Sequence, residues 1–266
     1  IVNSARAVRY HATGKPEEVL RYEEIPLAAP ADDEALVQLE MAVIHPSDLG
    51  MIGGTYGRLR DLPAVAGREA VGRVVQVGAK VSSLKIGDRV KMPEDAGVWR
   101  EAIVAKENSL RVVPADLPAE QACMAFINPP TAWLLLQEFV QLQPGDWIIQ
   151  NAGNSAVGEC VIQLAKSLGL HTASLVRNPE KHAAKLQKLG ADLVLADDKD
   201  ALKKLLPLWD GQPRAKLALN SIGGPSAITL TRALDDVTLS IEGDAVKVTP
   251  RGLSKRARAQ WGMSRS

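Results

Sequence analysis

From Ala5 to about Val113, apolar and polar residues alternate in short runs. "EALVQLEMAVI", "EAVGRVVQVG", "DRVKMP" and "EAIVAKENSLRVVP" carry the period of two that turns one face of a strand toward a core. Gly, Pro and Asp separate these runs, and Gly87-Asp88 reads as a turn feeding the next strand. The pattern predicts a compact antiparallel barrel. At about Pro114 the spacing becomes helical. "DLPAEQACMAFINPPTAWLLLQEF" predicts a helix with Pro118 just inside its start and Asp116 as its cap.

Strands and helices then alternate. "DWIIQNA", "HTASLVR", "DLVLAD" and "KLALNSIG" read as strands. "SAVGECVIQLAKSLG", "PEKHAAKLQKLG" and "KDALKKLLPLW" read as helices, two of them closing on Gly169 and Gly190. This order predicts a parallel, doubly wound sheet. No fifth or sixth parallel strand is read after Ala233-Leu234. "DDVTLSIEGDAVKVTP" predicts a hairpin around "EGD", and "SKRARAQWGMSRS" opens a basic helix. The division is a barrel at 1–115, a parallel-sheet domain at 116–234 and a tail at 235–266. A sheet of four such strands is expected to leave "KLALNSIG" as an apolar edge prone to association.

Composition narrows the class. Of 266 residues 46% are hydrophobic and the net charge is +1, as expected for a globular chain without a membrane span, since no apolar run reaches about 18 residues. Lys247 to Ser266 carries six Lys or Arg and no acid, so the rest is mildly acidic. Two cysteines, Cys123 and Cys160, exclude a disulfide framework or a multi-cysteine zinc site and read as packed free thiols. The chain opens on Ile1, so an upstream start is expected; no signal peptide is visible.

Two places carry chemistry on their own residues. "GNSAVG", Gly153 to Gly158, lies between a predicted strand and a predicted helix as Gly-x-Ser-x-x-Gly, a variant of the dinucleotide fingerprint with Ser155 at the middle position. Small residues there let main-chain amides reach a pyrophosphate at a helix N-terminus, and Gly158 permits close helix-to-strand packing. A plain tight turn is the alternative. The next strand ends in Arg177, with Lys181 one turn on, where a carboxylate would select NAD; cations suit a 2′-phosphate and hence NADPH. A solvated surface pair is the alternative.

"HPSDLGMIGGTYG", "LPAVAGREAVGRVVQVG", "GDRV", "INPPTAW", "LQPGDWIIQNAGNSAVG" and "LALNSIGG" occur in order over residues 5–234. Through them the chain resembles zinc-free medium-chain dehydrogenases/reductases, and within these the mitochondrial-type 2-enoyl thioester reductases. The resemblance implies a GroES-like barrel followed by a Rossmann-type sheet, truncated here. It also implies NADPH as cofactor, an acyl thioester of CoA or acyl carrier protein as substrate, and a homodimer. Zinc-dependent relatives carry a Cys in the turn where this chain has "IHPSD", a His where it has Arg68, and a four-cysteine lobe where it has "MPEDAGVWREA". No metal is therefore expected, and His45 reads as a loop residue.

One of only three tyrosines, Tyr56, falls in the glycine-rich loop where these reductases place their catalytic phenol. The resemblance assigns it hydrogen bonding to the developing enolate and delivery of the proton. A tyrosine packing the loop with its hydroxyl in water is the alternative. The resemblance sets Asn128 beside the nicotinamide end of the cofactor, with an Asx turn before Pro129 as the alternative. Asn154, Ser155, Ala156 and Val157 take the phosphate-loop contacts. Ser47, Asp48, Gly67 and Glu69 read as structural turn residues.

Residues 237–266 resemble instead the first strands and basic helix of the bacterial large-subunit ribosomal protein six, which implies an RNA contact by 247–266. A quinone or enone reductase, an RNA-associated protein and an inactive nucleotide-binding relative are the competing functions. The expected compartment is the cytoplasm, with mitochondria as the alternative.

Overall fold

The computed structural model of the chain describes residues 4–209, 214–234 and the backbone of 237–242 and 245–250. It divides into two compact units, Ile1–Ile127 and Asn128–Ser266.

In the first unit β1 (Ser4–Tyr10), α1 (Pro16–Val19), β2 (Leu20–Pro26), β3 (Glu34–Ala42), α2 (Pro46–Ile52), β4 (Ala64–Val65) and β5 (Ala70–Val77) precede β6 (Arg89–Lys91), β7 (Ala102–Lys106), β8 (Arg111–Val112) and the single turn α3 (Ala119–Ala122). The alternation seen in sequence builds a five-stranded antiparallel sheet, β7-β3-β5-β6-β8, and a three-stranded sheet, β2-β1-β4. Val37, Val74, Val90, Met92 and Ile103 point to the buried side of the larger sheet. A Cβ on Gly72 would lie 2.5 Å from Gln38 O, so β3 and β5 meet there only because the side chain is missing.

The second unit runs α4 (Asn128–Gln137), β9 (Trp147–Gln150), α5 (Ala156–Ser167), β10 (His171–Val176), α6 (Pro179–Leu189), β11 (Leu193–Ala196), α7 (Ala201–Leu208), β12 (Leu217–Leu219) and α8 (Gly224–Arg232). The strands form a parallel sheet in the order β11-β10-β9-β12. Neighbouring residues of β9 face opposite layers. Ile148 packs with Leu136, Val161 and Ala165, while Ile149 packs with Leu175, Leu205 and Leu230, and both isoleucines are fully buried. Such two-sided burial explains the unbroken apolar runs of these strands. Asn178 caps α6 by accepting from Lys181 N at 3.1 Å, and Gly190 ends that helix at φ 116°.

Three elements differ from the sequence expectations. "HPSDLGMI" forms α2, a two-turn helix started by Pro46, rather than a turn. The long helix expected over 116–139 is broken. Its first turn begins at Ala119 with Pro118, not Asp116, at the cap position, and α4 restarts at Asn128. Between them the amides of Phe126 and Ile127 leave the helical ladder for a side-chain carboxylate, described below. A further helix, α8, follows Gly223-Gly224, and Leu234 makes one parallel bridge to Ala215. The expected hairpin is present as β13 (Val237–Glu242) against β14 (Ala245–Pro250), with Glu242 opposite Ala245. The expected basic helix lies outside the described residues.

Among the described residues β12 pairs only with β9, so its other backbone edge is open, although Leu217 and Leu219 bury their side chains. The chain is therefore expected to self-associate, its sedimentation coefficient rising with concentration. A concentration-independent monomer with one cooperative melt would contradict this.

Candidate active site and nucleotide cradle

The loop from Gly153 to Gly158 joins β9 to α5 at the carboxyl end of the parallel sheet, where α/β proteins bind ligands. A Cβ on Gly153 would stand 2.6 Å from Ser174 Cβ, and one on Gly158 would stand 2.7 Å from Gly153 O. Neither position tolerates a side chain, so the loop lies against β10 and closes tightly over the start of α5. Ser155 caps α5, its Oγ accepting from Gly158 N at 3.1 Å. Gln150, buried at the end of β9, donates Nε2 to Gly158 O and to Ser174 Oγ, both at 3.0 Å. Asn154 projects into solvent, while Ser155, Ala156 and Val157 are half-buried. The result is a small-residue concavity at a helix N-terminus, where amides and the helix dipole favour an anion.

β10 runs beside β9, so Arg177, exposed directly after it, rises at the same end of the sheet. Lys181 follows in the first turn of α6 and is also exposed. Asn128 opens α4, which packs on α5. Its side chain is buried, and Nδ2 has no hydrogen-bond partner among the described residues. Together, the side-chain-free cradle and a buried amide without a partner fit a bound dinucleotide.

Sequence reasoning missed a polar cluster at this edge. Asn151 Nδ2 donates to Asn220 Oδ1 at 2.8 Å and to Ser226 Oγ at 2.9 Å, and Asn151 Oδ1 accepts from Ser221 N at 2.7 Å. Ser226 Oγ in turn donates to Asp197. This joins the ends of β9, β11 and β12, fixing the "NSIGG" loop. Its partners lie about seventy residues apart in sequence, and the only local signal is an Asn at the tip of each of two strands.

In the first unit Tyr56 follows α2 and is 46% exposed. Its Cβ lies 3.0 Å from where a Cβ on Gly50 would be, so Gly50 makes room for it. The Arg68 guanidinium stands 6.0 Å from the centre of the phenol ring and pairs with Glu94. Burial opposes the charge of Arg68, but Glu94 and the Tyr56 hydroxyl more than offset it and raise its pKa. The phenol thus reaches solvent with a fixed cation beside it.

Beneath this loop lie three ionisable groups read from sequence as loop and turn residues. His45 is buried, and its Nε2 meets Glu69 Oε2 at 2.7 Å. Glu69 is 1% exposed, and its Oε1 accepts from Phe126 N at 2.7 Å and Ile127 N at 2.9 Å. Asp48 Oδ2 accepts from His45 N at 2.7 Å, while its Oδ1 is buried without a partner among the described residues. Burial pushes the Asp48 carboxyl up, against the pull of His45, Arg68 and Arg60. No group of three or more His, Cys, Asp or Glu suited to a metal occurs among the described residues. Cys123 and Cys160 are free thiols, both pushed up by burial.

Residues 31–115 match the family described as alcohol dehydrogenase GroES-like domain. The mitochondrial enoyl-[acyl-carrier-protein] reductase of Xenopus tropicalis is 44% identical over 237 residues, which are 87% of this chain and 67% of that protein. The human protein of the same name is 42% identical, with 86% of this chain and 62% of that protein covered. The chain thus spans about two thirds of the length of these curated relatives. Among solved structures, Etr1p in complex with NADP and crotonyl-CoA superposes with a TM-score of 0.79 at 28% identity, covering 88% of this chain and 73% of that one. The Etr1p/Etr2p pair from Candida tropicalis is a heterodimer of mitochondrial 2-enoyl thioester reductases. A putative NADPH:quinone reductase from Bacillus thuringiensis gives 0.77 at 33% identity, covering 87% and 70%.

The raised Asp48 carboxyl has a consequence for stability. Its folded value lies above the unfolded one, so the ionised group costs stability at neutral pH, and the cost vanishes where both states are protonated. Asp48→Asn keeps an acceptor for His45 N without the charge. It is expected to melt about 2–4 °C above the parent at pH 7, about 1 kcal/mol. The gap should close as pH falls below the ordinary aspartate value of about 4. An equal gap at both pH values would refute the assignment.

Proposed function

The chain belongs to the enoyl thioester reductases of the medium-chain dehydrogenase/reductase superfamily, and from that membership we propose that it reduces the 2,3 double bond of trans-2-enoyl thioesters with NADPH. The observation that carries this reading is the cradle from Gly153 to Gly158, which has no room for a Cβ at either glycine and ends on the N-terminus of α5 beside a cationic strand tip.

NADPH, when bound, would supply the hydride that the β-carbon of the enoyl group takes up. The backbone of Gly153, Asn154, Ser155, Ala156 and Val157, with Gly158 closing the turn, holds the pyrophosphate. Arg177 and Lys181 pair with the 2′-phosphate, and Asn128 Nδ2 finds its partner at the nicotinamide end. As the double-bond electrons move onto the thioester oxygen, the Tyr56 hydroxyl donates a hydrogen bond to it, and its proton goes to the α-carbon. The products are the saturated thioester and the oxidised cofactor, with one proton drawn from solvent to restore the phenol. Arg68 keeps a positive charge beside that phenol throughout.

The thioester carrier is CoA or acyl carrier protein, and the working assembly is a homodimer. The named relatives are mitochondrial proteins, which favours the mitochondrial compartment over the cytoplasm expected from sequence. No helix among the described residues is long and apolar enough to cross a membrane. Similarity to the quinone reductase supports quinone or enone reduction as a second reading, and dependence of turnover on acyl-chain length separates the two. The six cations of 247–266 support an RNA contact, which steep salt dependence of RNA binding would reveal.

Tyr56→Phe is expected to lower kcat for crotonyl thioester about 100-fold with KM little changed; full turnover would remove the phenol from the mechanism. Arg177→Ala is expected to raise the Kd for NADPH about tenfold, about 1.4 kcal/mol, while leaving that for NADH unchanged. Parallel loss of both would show that the arginine does not read the 2′-phosphate.

A further inference from the structure

Glu69 is the most deeply buried carboxylate of the first unit and has no part in the chemistry above. Its two oxygens point to different pieces of chain. Oε2 takes His45 Nε2, and His45 is the cap residue of α2, the helix that leads into the Tyr56 loop. Oε1 takes the amides of Phe126 and Ile127, the two residues immediately before Asn128. The three distances, 2.7, 2.7 and 2.9 Å, are those of charge-assisted bonds. Both amides would serve a continuous helix if Glu69 did not hold them.

We propose that Glu69 is a positioning residue for the reduction, tying the cap of α2, the helix that leads into the Tyr56 loop, to the chain at Phe126 and Ile127, so that one buried carboxylate holds the loop of the acid in place. This rests on the role given above to Tyr56. His45 is the arm toward the acid, since it meets Glu69 through its ring and Asp48 through its backbone amide. Small errors in the placement of reacting groups are costly, and a loss through misplacement falls on kcat before KM.

The test uses the full chain, 15N-labelled, with His45→Asn, Glu69→Gln and both together, and Tyr56→Phe as reference. Asn is a good helix cap but too short to reach Glu69, and Gln keeps the size of Glu and an acceptor for the two amides, so each variant spares the fold. The amide resonances of Phe126 and Ile127, which share Glu69 with His45, should move in His45→Asn. The same substitution should leave them still in the Glu69→Gln background. Turnover of crotonyl thioester by Glu69→Gln should fall about tenfold in kcat, about 1.4 kcal/mol, at unchanged KM. If His45→Asn leaves both amides unmoved, the tie does not exist. If they move but Glu69→Gln keeps the parent kcat, Glu69 connects without positioning and the proposal falls. A parent that turns over and is insensitive to Tyr56→Phe overturns the reading of Tyr56 instead. A parent that reduces no enoyl thioester overturns the proposed function, and the positioning role with it.

Discussion

A carboxylate taken out of water costs several kcal/mol unless donors replace the lost hydration. Glu69 imposes that demand on the first unit, and the chain around it is shaped by the answer. Three donors converge on it from two distant segments. Supplying two of them removes the amides of 126 and 127 from any helix. Pro129 and Pro130, which have no N–H, are then free to occupy the first turn of a new one. α4 starts at Asn128, directly after the two amides that Glu69 holds from 57 and 58 positions earlier in the chain. The His45 donor fixes the cap of α2 in the same way. Loss of the His45 ring would leave Glu69 with the two amides alone.

The second unit solves its placement problem by leaving atoms out. The loop after β9 can touch β10 and fold over α5 because Gly153 and Gly158 have no side chains, and Gln150 stitches the gap with two hydrogen bonds. Positive charge enters at the rim, through the helix dipole, Arg177 and Lys181. The two units thus contribute differently to one reading. One holds a solvent-reaching phenol beside a fixed cation, and the other offers a concavity at a helix N-terminus whose shape is set by backbone.

What was legible in the sequence was local. The spacing from Gly153 to Gly158, the helix opening on Pro179 and its stop at Gly190 are decided within a few residues, and they stand where the pattern put them. The order of strands and helices was legible for the same reason. The break at 123–127 was not, because its apolar spacing is helical and the competing acceptor, Glu69, is far away in sequence. His45 looked like a loop residue because nothing beside it reveals a carboxylate 24 positions on. α2 was hidden by its own start, since "HPSD" is equally good as a turn and as a helix cap followed by Pro. The cluster of Asn151, Asn220 and Ser226 failed to show for the same reason of distance.

The open edge of the sheet bears on the cradle through a single strand. β12 is the neighbour of β9, in register from Leu217 opposite Ile148 to Leu219 opposite Gln150. β9 in turn runs into the glycine loop from Gly153 to Gly158. Leu217 and Leu219 share a core with Ile148, and α8 and Leu234 return the chain toward this same edge. The hairpin of β13 and β14 pairs with itself, and a two-stranded hairpin is marginal alone, so it lends the edge no ladder among the described residues. Fraying of β12 would uncover Ile148 first and loosen the end of β9 next. Any change that weakens this edge should therefore be felt as lost cofactor affinity well before the antiparallel unit, with its own closed set of buried valines and its own buried carboxylate, is disturbed.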